Sequence, residues 1–122
     1  MNNIWFFDRY GAPQLILNDQ GRFFNRHGHN LGYVKDTIYI YNYQGKHCGW
    51  IEGYVIRDLF GNTAGFSQYS NDFPSPIFPI PQIPPIPSIP QIPPIPSIPQ
   101  INNIKPIKSF GWSSLSLLTI FD

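Results

Sequence analysis

Ile38-Tyr39-Ile40-Tyr41-Asn42-Tyr43-Gln44-Gly45-Lys46-His47-Cys48-Gly49-Trp50-Ile51 reads as one β-hairpin: an alternating apolar run, a turn ending in glycine, and a second short run. Similar units surround Gly11, Gly28 and Gly61, so the turn glycines stand 17, 17 and 16 residues apart. Three positions before each glycine is an Asp or Asn: Asp8, Asn25, Asn42 and Asp58. A side-chain acceptor at the first turn position and a glycine at the last suit a type I turn that closes on a left-handed residue. One such match is weak, but four in phase identify an internal repeat.

The turn sets a register, and the register sets two faces. Asp8 is expected to pair with Ala12, Phe6 with Gln14 and Ile4 with Ile16, all on one face. That face continues through Phe23, Leu31, Tyr33, Ile38, Ile40, Cys48, Trp50, Tyr54, Ile56, Ala64 and Phe66, and it is apolar enough to be the core. The opposite face is mixed, with Trp5, Phe7, Arg22, Phe24, Tyr39, Tyr41, His47, Val55, Arg57 and Thr63. A second glycine (Gly32, Gly49, Gly65) follows three of the turn glycines by four residues. In this register the three face Arg22, Tyr39 and Val55, where a glycine lets the strand bend beneath a long side chain. Short, strongly bent strands joined by tight links (Asn18-Asp19-Gln20-Gly21, Lys35-Asp36, Glu52-Gly53) imply a closed or nearly closed antiparallel ring.

Composition breaks after Tyr69. Thirteen of the 14 prolines lie between Pro74 and Pro106, and Ile83–Gln91 is repeated without change as Ile92–Gln100. Such density forbids helix and central strand and favours polyproline II. Isoleucine occupies every third position from Ile77 to Ile107, so eleven side chains fall on one edge of a threefold helix. The last residues, Ser109 to Asp122, are again apolar. Ser113 or Ser114 can cap a short helix with Leu115, Leu118 and Phe121 on one face, whereas Leu115, Leu117, Thr119 and Phe121 alternate as a strand would; the reading leans to helix. The chain therefore divides into a four-hairpin domain (1–69), a Pro/Ile-rich linker (70–106) and an apolar C-terminal segment (107–122) that docks on the first.

The pattern of an aromatic and apolar run, Asp/Asn-x-x-Gly and then x-x-x-Gly-aromatic, four times over, resembles the bacterial four-fold β-flower family. Residues 4–67 carry the likeness, most clearly in Gly28-His29-Asn30-Leu31-Gly32-Tyr33-Val34 and Gly45-Lys46-His47-Cys48-Gly49-Trp50-Ile51. The first unit departs from it, with Leu15 in place of the second glycine, and Trp112-Ser113-Ser114-Leu115 is similar to the family's tail. The resemblance implies an all-β fold, a shallow pseudo-four-fold barrel of four hairpins, and implies no activity.

Catalytic chemistry finds little to work with. His47 and Cys48 are adjacent in a strand and point to opposite faces, so they do not share a metal, and burial as a small apolar residue accounts for Cys48. His27 and His29 flank a turn and lack a third ligand. Asp8, Asn25, Asn42 and Asp58 are accounted for by turn capping. Glu52 is the only glutamate, and no phosphate loop or nucleophile elbow is present. The expectation is a non-enzymatic binding or interaction module without cofactor or metal. Its candidate ligand-binding residues are the layer Ile16, Tyr33, Trp50 and Phe66, with Phe6 and Phe23 beneath it. In a compact barrel these fill the core; in an open one they line a funnel for a lipid-like ligand or an apolar peptide. The alternative is a structural spacer whose arm separates the β head from a C-terminal anchor. A net charge of +1, with 12% charged residues and no basic stripe, argues against nucleic acid. No charged-then-apolar leader and no spanning apolar run is visible, which makes a cytoplasmic location the expectation. Self-association through the isoleucine edge is a further expectation.

Overall fold

Each hairpin tip is built by the acceptor that the repeat predicts. In the computed structural model, which describes residues 3–122, Asp8 Oδ1 accepts the N–H groups of Tyr10 (2.9 Å) and Ala12 (3.0 Å). Asn25, Asn42 and Asp58 accept in the same way from the residues two and four positions on. The glycine that ends each turn has φ between +80° and +86°, the left-handed conformation that costs glycine little.

The four hairpins are β1 (Ile4–Phe7) with β2 (Pro13–Leu17), β3 (Arg22–Asn25) with β4 (Asn30–Lys35), β5 (Tyr39–Asn42) with β6 (His47–Glu52), and β7 (Val55–Arg57) with β8 (Thr63–Phe66). Every strand pairs antiparallel with its chain neighbour, and Phe7 opposite Phe66 closes the barrel. The fold is all-β, with the links between hairpins at one end and the four glycine tips at the other.

The register differs from the sequence reading by one residue beyond each tip. Phe7 pairs with Pro13, but Phe6 pairs with Leu15 and Ile4 with Leu17, so Gln14 is an extra residue. Leu31, Cys48 and Ala64 are extra at the corresponding points of the other hairpins. Gly32, Gly49 and Gly65 therefore face Phe23, Ile40 and Ile56, not Arg22, Tyr39 and Val55. The cause is the next hairpin: a Cβ on Gly49 would collide with the Arg57 backbone carbonyl, and one on Gly32 with that of Tyr41. The bulge carries the strand past that carbonyl and bends it into the barrel wall.

One extra residue exchanges the faces of the second strand. Leu15, Leu17 and Ile51 join Phe6, Phe23, Ile40, Cys48, Ile56 and Ala64 in the inner core, with Val34 packed against it. Ile16, Tyr33, Trp50 and Phe66, expected on that core face, alternate with these residues and lie on the outside. Cys48 is buried where expected, and desolvation pushes its thiol up to about 11.

The C-terminal segment completes the core. Where the sequence leans to a short helix, the structure has a single 3-10 turn, Thr119–Phe121, preceded by a one-residue parallel bridge between Trp112 and Thr63. The segment crosses the glycine-tip mouth: Leu117, Ile120 and Phe121 sit in the core cluster, and Asn42 Nδ2 donates to the Phe121 carbonyl (2.9 Å). Ser113 Oγ donates to Asp58, and Lys46 Nζ to the Asp122 carbonyl (2.8 Å).

Candidate interaction surface

From Asn71 onward the chain runs along the outside of the barrel and meets the four tips in order. Gln82 N–H donates to the Gly11 carbonyl (2.8 Å), Gln91 to Gly28 (2.8 Å), Gln100 to Gly45 (2.8 Å) and Ser109 to Gly61 (3.1 Å). Head glycines spaced by 17, 17 and 16 residues are thus matched by arm anchors spaced by nine. Between anchors, Ser88 donates to the Arg26 carbonyl (3.2 Å), Ser97 to that of Tyr43 (2.8 Å), and Asn103 N–H to His47 Nδ1 (3.0 Å). All seven donors share one third of the arm's positions, and the intervening members of that set, Pro85, Pro94 and Pro106, have no N–H to place. The arm comes so close that a Cβ on Gly28 would stand 2.5 Å from the Ile89 carbonyl oxygen. Glycine at the tip is required by that approach as well as by its φ.

Arg57 joins the two ends of the circuit. It is 2% exposed on β7, and its Nη2 donates to Asp72 Oδ2 (3.2 Å) and to the Pro74 carbonyl, where the arm begins. Its Nη1 donates to Gly61 (3.1 Å) and Ser109 (3.2 Å) carbonyls, where the arm ends. Lys108 reinforces the closure by pairing with Asp72 (2.8 Å), and Lys105 pairs with Glu52. The arm is therefore laid along the head from end to end, and its C-terminal continuation closes the head's own mouth.

His47, on β6, is a second fixed point. It is fully buried among Tyr39, Tyr41 and Trp50, with ring centroids 5.7, 5.3 and 4.7 Å away. Nε2 lies 2.9 Å from the Gly49 carbonyl, which makes it the protonated nitrogen and leaves Nδ1 free to accept from Asn103. Desolvation, with a smaller contribution from Lys35, lowers the His47 pKa below its ordinary 6.5 against the opposing Gly49 bond. Because the folded pKa lies below the unfolded one, the stabilisation is complete above pH 6.5 and is lost as pH falls through the folded pKa. Urea unfolding is expected to show a loss of stability between pH 7.5 and 5 that is smaller in His47→Gln, whose amide oxygen accepts without titrating; equal slopes in both proteins would remove His47 from this role. His27 and His29 are exposed and common to both.

The isoleucine edge points away from all of this. Ile77 through Ile107, at every third position, are 90–97% exposed: the head bonds the edge of Gln82, Ser88, Gln91, Ser97 and Gln100 and leaves this one in solvent. The arm lies over parts of the outer face, where Tyr41 Oη donates to the Gln100 carbonyl (2.6 Å) and Phe24 shares a small hollow with Pro87 and Pro90. Phe7, Phe24, Tyr41 and Val55 are buried on a face that reads as mixed. No residue from Phe73 to Ile104 carries a charge.

The residues expected to bind a ligand are divided between two layers. Phe6 and Phe23 are fully buried in the inner core, 6.4 Å apart edge to face, and Phe23 lies 5.4 Å from Phe121 of the tail. Ile16 lines a small hollow together with Pro87, Ser88 and Pro90 of the arm, Phe66 stacks on Phe78 (4.6 Å), Tyr33 stacks on Tyr41 (5.9 Å), and Trp50 meets His47. They do not converge. An apolar hollow does exist at the barrel's other mouth, a cleft of about 450 Å³ floored by Ile4, Leu17, Val34 and Ile51. Sequence reasoning missed Arg57 and His47 as fixed points; the nine-residue spacing of Gln82, Gln91, Gln100 and Ser109 was the visible signal for the anchors.

Among the described residues no helix is long and apolar enough to cross a membrane, and no three His, Cys, Asp or Glu side chains gather as a metal site requires. No curated protein and no solved structure matches the chain. The model of the four-fold β-flower proteins does match, over residues 4–121, a span that takes in the hairpins, the arm and the closing tail, and the chain belongs to that family.

Proposed function

We propose that this protein is a non-enzymatic interaction module whose binding surface is the isoleucine edge of the arm, wound in polyproline II form around the barrel as around a spool. The observation that carries the reading is the contrast within one segment. Seven of its backbone N–H groups donate to the head, while eleven isoleucines stand nine-tenths or more exposed. Monomeric proteins rarely leave more than a few hundred Å² of contiguous apolar surface in water unless something binds there. Prolines and the Arg57 closure hold the edge in place beforehand, so a partner meets it with little ordering cost. The absence of charge from Phe73 to Ile104 selects an uncharged, apolar partner, a lipid-like chain or an apolar peptide segment. The spacer reading finds less support, since Arg57 contacts both the start and the end of the arm.

The test replaces Ile83, Ile86, Ile89, Ile92 and Ile95 with serine in the full chain. The substitution keeps the anchors and prolines and erases the middle of the edge. Retention on an octyl-substituted matrix at moderate salt is expected for the parent and lost in the variant. Equal retention of two equally folded proteins would end this reading.

A further inference from the structure

We infer that the partner is a second copy of this chain, and that copies associate arc to arc through their isoleucine edges into assemblies larger than a dimer; the inference rests on the reading just given. The first argument is spacing. Isoleucines three residues apart along an extended arm recur about every 9 Å at roughly 3.1 Å per residue. Two apolar contacts of about 4–4.5 Å fill that interval, so one further aliphatic side chain seats between each successive pair. The surface whose teeth match this comb is another copy of it, and Ile83–Gln91, repeated as Ile92–Gln100, offers the match at two successive registers.

The second argument is charge. The edge carries none, so copies meet without repulsion, and it offers no cation of its own to draw an anionic lipid surface or a nucleic acid. It also contains no Trp or Tyr, the residues that mark a bilayer interface.

Curvature then decides the size of the assembly. The arm touches the tips at Gly11, Gly28, Gly45 and Gly61 around a closed barrel, so the edge is convex and a single neighbour covers one arc. Three arcs lie between successive anchors: Ile83–Ile89, Ile92–Ile98 and Ile101–Ile107. Each holds three isoleucines, about 300 Å² at roughly 100 Å² of apolar side-chain surface apiece. That is less than half of the roughly 800 Å² per partner of a stable pairwise interface. One arc gives weak pairing, and several arcs engaged together give avidity.

Sedimentation velocity of the full chain over a range of concentrations tests this. The parent's average mass is expected to rise with concentration past twice 14.0 kDa. Replacing Ile83, Ile86, Ile92 and Ile95, which lie between anchors, with serine is expected to return the species to a single chain, whereas valine at the same positions keeps the association. Tryptophan fluorescence reports whether the variants remain folded. A parent that stays monomeric overturns the inference, as does a folded serine variant that assembles like the parent. If the monomeric parent is still retained on the octyl matrix through the same isoleucines, or binds uncharged phosphatidylcholine vesicles through them, only the second copy is wrong. If it shows neither behaviour, the interaction-module reading falls as well.

Discussion

Replacing Arg57 with leucine is expected to destabilise the protein by about 3–5 kcal/mol, the cost of removing one member of a buried, hydrogen-bonded charge pair. The guanidinium holds five partners at once: the Asp72 carboxylate, the Thr63 hydroxyl and the carbonyls of Gly61, Pro74 and Ser109. Lys108 still reaches Asp72 in the variant, which places the loss at the lower end of the range, but the carbonyls have no replacement donor. The arm should loosen before the barrel, since Arg57 joins the arm's ends while the barrel is closed by its own strands. Hydrogen exchange separates the two. The amides of Gln82, Ser88, Gln91, Ser97 and Gln100 are expected to exchange much faster in Arg57→Leu, under conditions where strand amides stay protected. Lysine at this position should recover only part of the loss, because one ammonium cannot bridge both ends as the planar fork does. Unchanged arm amides in the leucine variant would show that Arg57 does not hold the arm.

The hairpins were legible because their information is local. An Asp or Asn acceptor and a glycine three residues on specify a turn without reference to the rest of the chain, and all four occur as read. The faces were not legible past the bulge. Whether Cys48 and Gly49 oppose one residue or two depends on the Arg57 carbonyl crossing from the next hairpin, which no spacing within the unit reports. That one residue carries Trp50 from the core to the outer layer. The tail resisted for a related reason: Leu115, Leu117, Leu118 and Phe121 satisfy both helical and alternating patterns. The barrel mouth selects Leu117, Ile120 and Phe121, a combination neither pattern picks out.

The arm presents an intermediate case. Its threefold period was plain, but an apolar edge invites the assumption that it faces the head. The structure has the opposite arrangement: each turn-glycine carbonyl accepts an N–H from Gln82, Gln91, Gln100 or Ser109, and none accepts from an isoleucine, although the isoleucines carry N–H groups too. Two repeats of different length, one of about 17 residues in the head and one of nine in the arm, are held in phase by those bonds. The isoleucines are left outside as a consequence.

The C-terminal segment should behave as part of the core despite arriving after a long arm. Phe121→Ala is expected to cost about 3–5 kcal/mol and Leu117→Ala about 2–5 kcal/mol, the range for large-to-small changes at buried sites. The wall around them is a closed ring of strands, which limits how far the site can collapse onto a void and favours the upper part of each range. Phe121 lies against Phe23 and against Gly32, whose Cβ would stand 2.9 Å from its ring; Leu117 occupies the space beside Gly65, where a Cβ would come within 2.7 Å of its methyls. Glycine in those strands and a bulky residue in the tail are thus two halves of one packing arrangement. Leu115 supplies the comparison, since it is 45% exposed and its truncation should fall within about 0.5 kcal/mol of the parent, as surface changes usually do. Urea midpoints of the three variants decide the matter. If Phe121→Ala and Leu117→Ala are as mild as Leu115→Ala, the barrel is stable without its stopper and the tail only rests on the mouth. If they separate as expected, the tail is an integral part of the core that the hairpins enclose, and the barrel does not hold its full stability without it.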